Sequence, residues 1–206
     1  MSSVSAELHI VTPVTLEGFV VRLEPIRREH AEIFWEVAKD DLDNIFQWIP
    51  YRMKSLEDFQ HVVDKALVEQ ERSESVVFAI VERSSGRIIG STRFMNIDRI
   101  NRRVEIGSTW IAQAWQRTGV NTEAKYLMLR HAFEAWQCMR VELKTDALNQ
   151  RSRNAILRIG AKEEGTLRRH VITWTGRVRD SLYFSILDTE WPKVRIRLER
   201  KLCPKI

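Results

Sequence analysis

The chain has 206 residues, 44% of them hydrophobic and 30% charged, ordinary values for one globular domain that can bury a core. A net charge of +5 favours acidic partners, nucleic acid or a phosphorylated cofactor, but the basic residues form no single run. That scatter disfavours nucleic acid and reads as a mixed, solvated surface. No apolar run approaches the ~18 residues of a membrane span, and residues 1–13 lack the basic-then-apolar pattern of a secretory signal. Cys138 and Cys203 are far apart and without metal-type spacing, which argues against a disulfide framework and a zinc site. A metal-free protein of a reducing cytoplasm is the expectation.

Residues 1–14 read as a flexible leader, and 15–206 as a single domain. A strand over 19–24 ends at Pro25, and Ala31, Phe34, Trp35 and Ala38 recur at helical spacing over 28–39. The aspartates Asp40, Asp41 and Asp43 break that pattern. They either cap helices or, with Trp48 and Tyr51, form an acidic and aromatic wall that attracts a cation. Ser55 is an N-cap, followed by Glu57 and Asp58 in the first turn of a helix. Residues 76–81 and 88–97 form a hairpin around the turn 84–87. A third strand over 102–111 separates Val104, Ile106, Ser108 and Trp110 on one face from Arg103, Glu105, Gly107 and Thr109 on the other.

A polar turn at 116–121 then opens a long helix over 121–136. A strand over 139–145 follows, then a short helix over 149–158 closed by Gly160. Two strands, 162–172 and 177–187, flank a turn at 174–176, and a short helix over 190–201 ends the pattern. Strands interleaved with helices, with a hairpin-rich first half, describe a mixed α/β sheet covered by helices. Seven tryptophans are many for this length, and Trp48, Trp110 and Trp115 sit beside polar stretches where a binding surface fits.

The turn Gln116-x-x-Gly119-x-Asn121 is a weak signal alone, because a glycine turn before a helix is most often only a turn. Its context strengthens it. A strand ending at Trp110 and Ile111 leads into it, and a helix starts from it, so unpaired N–H groups and the positive end of the helix dipole converge there. Such a point binds anions. A glycine lets the backbone approach a pyrophosphate closely, and Arg117 adds charge at the rim.

This pattern resembles the GNAT N-acetyltransferases, whose pyrophosphate signature is Gln-x-x-Gly-x-(Gly/Ala). Glu105-Ile-Gly107, Asn121-Thr-Glu-Ala124, Asn149-x-x-Ser152 and Ile159-Gly160-Ala161 are similar to the branch that acetylates ribosomal-protein alanines, over residues 16–191. Asn121 departs from the signature. The resemblance implies a GNAT fold, acetyl-CoA as cosubstrate and an amine-bearing acceptor, with a homodimer left open. It implies that Trp110, Ile111 and Ala112 pair with the pantetheine arm, and that the N–H groups of Arg117, Thr118, Gly119, Val120, Asn121 and Thr122, behind Gln116, hold the pyrophosphate. Asn149 would touch the pantetheine and Ser152 would sit near the sulfur, although both also fit as helix caps.

Two readings stand for Glu105: a solvated carboxylate paired with Arg103 or Arg93, or a general base, as glutamates on this strand are in relatives. The implied reaction is attack of a neutral amine on the thioester carbonyl, with a strand N–H holding the oxyanion. A thiol has a pKa near ~8.5, so the thiolate leaves with little acid help and Ser152 as proton donor is optional. Two other functions remain. Arg168, Arg169, His170, Arg177 and Arg179 could form a nucleic-acid surface, or the same fold could sense acyl-CoA without turnover.

Overall fold

The computed structural model describes residues 11–202. Residues 1–10, most of the expected leader, and Cys203 lie outside that range, while Val11 is buried in the larger core. The β-rich segments assemble into one eight-stranded sheet. Its members are β1 (Leu16–Glu17), β2 (Val21–Pro25), β3 (Val76–Glu82), β4 (Ile88–Asp98), β5 (Arg103–Ile111), β6 (Arg140–Asp146), β7 (Lys162–Ile172) and β8 (Val178–Leu187). The spatial order is β1-β2-β3-β4-β5-β6-β8-β7. Every neighbouring pair is antiparallel except β5 and β6.

Helices cover the two faces unequally. On one face, α1 (His30–Ala38), α2 (Leu42–Phe46) and α3 (Leu56–Glu71) bury Phe34, Phe46 and Phe59 against Val77 and Ala79. The ring of Trp110 joins this cluster, 5.5 Å from those of Phe34 and Phe46. The opposite face takes α4 (Val120–Arg130), α5 (Gln150–Ile159) and α6 (Trp191–Leu202), with Phe78, Phe94, Leu127, Val141, Leu143, Phe184 and Leu198 between them. Among the described residues, β6, β7 and β8 give nothing to the α1–α3 core. On that face they carry the partnered positions Glu142, Lys144, Asp146, Ser181, Tyr183 and Ser185 instead.

Local chemistry explains the helix ends. Ser55 and Asp58 form a reciprocal capping box at α3. Asn149 Oδ1 accepts the N–H of Ser152 at α5, and Gly160 closes that helix at φ 106°, the left-handed region that favours glycine. The helix expected over 121–136 is α4 followed by a π-helical turn, His131–Ala135.

Three departures from the sequence pattern have physical causes. The strand expected over 19–24 begins only at Val21, with the short β1 before it, because the carboxylate of Glu123 collects the N–H groups of Phe19, Val20 and Val21 at 2.9, 2.6 and 2.7 Å. A Cβ on Gly18 would come within 2.5 Å of that carboxylate, so only glycine fits there. The break around the aspartates contains α2, with Asp41 at its N-cap position. Finally, β5 does not keep one alternation along its length. Ser91 faces Trp110 and Arg93 faces Gly107, so Thr92 alone stands against Ser108 and Thr109. This bulge, with Ser108 at φ 46°, turns Thr109 toward α4 and Trp110 into the α1–α3 cluster.

Candidate active site

The site begins where the one parallel pair comes apart. β5 and β6 are paired only from Arg103–Glu105 to Arg140–Glu142, and beyond Glu105 the two strands have no ladder between them. Parallel strands end on the same side, so the helices that follow them, α4 and α5, both start at the mouth of this opening. Crevices at the carboxyl ends of diverging parallel strands are where ligands bind in α/β sheets.

At the mouth, the segment between β5 and α4 is folded back by Gln116, whose Nε2 donates to the carbonyl of Ile111 at 2.7 Å. Arg117 takes the left-handed conformation, φ 64°. The hydroxyl of Thr118 donates to the carbonyl of Trp115 at 2.6 Å and accepts the N–H of Val120 at 3.3 Å. Among the described residues, the N–H groups of Arg117, Thr118, Gly119, Asn121 and Thr122 have no hydrogen-bond partner. They gather at a helix start where no side chain caps them, and that arrangement suits an anion.

Gly119 has an ordinary φ of −67°, and a Cβ there would meet nothing nearer than Val20 Cγ2 at 3.9 Å. The fold itself therefore does not require glycine, and the space above it is left open. Asn121 is half-buried and its amide makes no hydrogen bond among the described residues, so it remains able to donate. These features fit a pyrophosphate. Of the three residues expected along the pantetheine, Ala112 gives its N–H to Ile89 and its carbonyl to Trp115, Trp110 is paired with Ser91 on β4, and the carbonyl of Ile111 is taken by Gln116.

Glu105 lies at the base of the opening and is 2% exposed. It pairs with neither arginine the sequence suggested. Arg93 is drawn to Glu69 on α3 at 3.1 Å, and Arg103, exposed at the start of β5, to Asp98 at 3.1 Å. Instead, Glu105 Oε2 accepts from Asn96 Nδ2 at 2.7 Å and from Lys144 Nζ at 3.1 Å. Its Oε1 is buried without a partner among the described residues. That oxygen lies against Gly107, where a Cβ would stand 3.2 Å away. Ser152 is half-buried, and among the described residues its hydroxyl has no partner.

Behind the bulge lies a second polar group that the sequence reading missed. Lys125 on α4 is buried, donating to Thr92 Oγ1 at 3.0 Å and also to Thr109 Oγ1, while the two hydroxyls are 2.8 Å apart. Burial lowers its pKa to about 7. Only the apolar neighbours of Lys125 on the helix hinted that it would turn inward.

The aspartates and the basic cluster fall outside this arrangement. Asp40 and Asp43 are exposed, and Asp41 accepts from Asn44. Arg177 pairs with the buried Asp146 and lies over the ring of Trp48, 5.9 Å from its centre. Arg179 is buried, donating to Ser181 Oγ and to the carbonyl of Trp48, each at 3.1 Å. Two of the five residues expected on one basic surface are thus paired within the fold. They tie the loop carrying Trp48 to the β7–β8 hairpin.

Known proteins share this architecture. Over 106 residues the chain is 35% identical to the Bacillus subtilis (strain 168) protein named "Putative ribosomal N-acetyltransferase YdaF", covering 52% of this chain and 57% of that protein. It is 29% identical over 114 residues to "Uncharacterized N-acetyltransferase p20" of Bacillus licheniformis, covering 55% and 63%. The chain therefore spans less than two thirds of the curated relatives it matches. A GCN5-related N-acetyltransferase from Brucella melitensis has a TM-score of 0.86 at 29% identity, covering 95% of this chain and 90% of that one. Mycobacterium smegmatis RimJ, solved in complex with CoA-disulfide, shares the fold at a TM-score of 0.80 and 24% identity, covering 94% and 96%. The acetyltransferase (GNAT) domain family matches residues 21–162, more than half of the sequence, and the chain belongs to that family.

Proposed function

We propose that the protein transfers an acetyl group from acetyl-CoA to a primary amine, either a protein N-terminal α-amine or a small-molecule amine, in the cytoplasm. One observation carries the reading. A helix start whose N–H groups are free among the described residues stands at the mouth of the split strands, and a buried carboxylate with one oxygen unpartnered among those residues stands at its base. Acetyl-CoA supplies the activated acetyl thioester. The turn from Arg117 to Thr122 holds its pyrophosphate, Trp110 and Ile111 align its arm, and Asn149 and Ser152 flank it from α5. Glu105 takes the proton of the acceptor, a contribution of typically ~10²–10⁴-fold for a general base. The ribosomal N-acetyltransferase in the Bacillus relative's name favours a protein acceptor.

The test is a thermal-shift and mass-spectrometric screen with acetyl-CoA against peptides with free α-amines, lysine peptides and small amines. The expected result is stabilisation by CoA and a mass gain of one acetyl group on at least one class. Glu105→Gln should keep the stabilisation and lose turnover. Binding without any turnover would make the protein a sensor, and wild-type turnover by Glu105→Gln would remove Glu105 from the chemistry. A nucleic-acid surface is the weaker alternative, since Arg177 and Arg179 are committed internally.

A further inference from the structure

Glu105 is held from one side only. Asn96, from β4, and Lys144, from β6, both donate to Oε2, and neither reaches Oε1. The second oxygen is buried, unpartnered among the described residues, and faces Gly107 beside the bulge. An acceptor oxygen buried without a donor is costly unless a ligand completes it. The carboxylate is therefore fixed in one rotation, with a single oxygen whose lone pairs no donor claims among the described residues.

Lys144 does more than fix a rotation. Its side chain is 26% exposed, so its ammonium fronts the open half of the sheet, 5.9 Å from the centre of the Tyr183 ring. The pair crosses from Lys144, two residues beyond the last rung of the three-residue β5–β6 ladder, back to Glu105 within that rung. It thus sits where the strands begin to separate, and it places a fixed cation against Oε2, on the same carboxylate whose Oε1 is left to receive the proton. A second cation brought to the same carboxylate is repelled by the first.

We propose that Lys144 is a positioning residue for acetyl transfer: with Asn96 it commits one oxygen of Glu105, leaving Oε1 to take the amine proton, and its charge admits the amine in its neutral form. The inference rests on Glu105 acting as base. In the step, the amine nitrogen forms a bond to the acetyl carbon and the carbon–sulfur bond breaks. The amine proton passes to Glu105 Oε1 and on to solvent, and the thiolate leaves with the bonding electron pair.

The experiment compares Lys144→Met and Lys144→Arg with the wild-type chain, with a lysine-free peptide bearing a free α-amine as probe acceptor. Hydrolysis of acetyl-CoA, in which water replaces the amine, is read in parallel and needs no acceptor. Lys144→Met should lower kcat about tenfold in both assays, a part of the whole general-base contribution. It should also lower KM for the cationic peptide severalfold and leave KM for acetyl-CoA unchanged. Lys144→Arg, which restores a cation, should recover most of kcat.

Asn96→Gly removes the other donor and keeps the left-handed backbone that Asn96 adopts at φ 50°. It should likewise lower kcat, and it serves if Lys144→Met does not fold. Wild-type kcat in Lys144→Met, or an arginine variant no better than the methionine one, overturns the proposal. If Glu105→Gln loses turnover while Lys144→Met keeps it, only the role of Lys144 falls. If Glu105→Gln keeps turnover, the base reading falls and Lys144 with it.

Discussion

Lys125 offers a measurable consequence of burying a charge beneath the proposed cofactor site. Its ammonium has two threonine hydroxyls for partners, and among the described residues no carboxylate pairs with it. Burial lowers its pKa from 10.5 to about 7. In the unfolded chain the group keeps its ordinary value, so between pH 7 and 10.5 the unfolded state binds more protons than the folded one. Stability therefore rises with pH across that window, and the penalty is complete below pH 7. At about 1.4 kcal/mol per unit, a shift of this size sets a ceiling of roughly 5 kcal/mol, with relaxation and water penetration reducing it.

Lys125→Met keeps all but the last atom of the side chain's length and leaves Thr92 and Thr109 bonded to each other. We expect the variant to be more stable than wild type by about 2–3 kcal/mol at pH 6.5–7. That corresponds to some 4–12 °C in Tm at ~2–4 °C per kcal/mol for a chain of this size. The advantage should shrink steadily toward pH 10. Thermal melts and urea titrations at four pH values measure it. A constant difference across pH, or a variant less stable at pH 7, would falsify the reasoning by showing that the hydroxyl bonds outweigh the desolvation.

Other substitutions probe other parts of the fold. Gly119→Glu should leave the melting temperature of the free protein within about 1–2 °C of wild type, because the new Cβ meets only Val20 Cγ2 at an ordinary 3.9 Å contact, yet abolish stabilisation by CoA. A retained CoA shift would put the pyrophosphate elsewhere. Glu123→Gln weakens three charge-assisted bonds to the β1–β2 turn and should cost about 2–4 kcal/mol in denaturant titrations, and a change below about 0.5 kcal/mol would contradict the latch. Asp146→Asn leaves Arg179 buried without its counter-charge and should cost about 3–5 kcal/mol, whereas Asp180→Asn, at a half-buried position on β8, should cost under 1 kcal/mol. Calorimetric unfolding of the two variants side by side makes the comparison.

Local pattern made much of this architecture legible. The N-cap at Ser55, the glycine closing α5 and the two C-terminal strands follow from residues a few positions apart, and their expected ends differ little from the observed ones. The polar turn after β5 was legible because strand, glycine and helix are adjacent in sequence. What escaped was set by distant partners. Glu123 bends the β1–β2 segment from more than a hundred residues away. One extra residue in β5 exchanged the faces of Thr109 and Trp110, which no alternation in the sequence announces. The partners of Glu105 were hidden for the same reason: Asn96 reaches it through a left-handed backbone, and Lys144 comes from a strand beyond α4. Arg177 and Arg179 read as surface cations because Asp146, their shared counter-charge, lies on another strand.

The brevity of the β5–β6 ladder has a further consequence, for the exchange of backbone amides with solvent deuterium. The antiparallel ladders from β2 to β5 and from β6 to β7 should retain their protons for as long as each half of the sheet stays folded. Past Glu105, the edge of β5 that faces β6 has no ladder, and neither do the N–H groups of the turn into α4. Deuterium should enter those two stretches early. Under the binding mode proposed here, a seated acetyl-CoA arm supplies the missing acceptors, so the same two stretches should slow together, by the same factor and at the same concentration. The split between two parallel strands would thus record its own occupancy, residue by residue, in the isotope content of a dozen or so neighbouring amides.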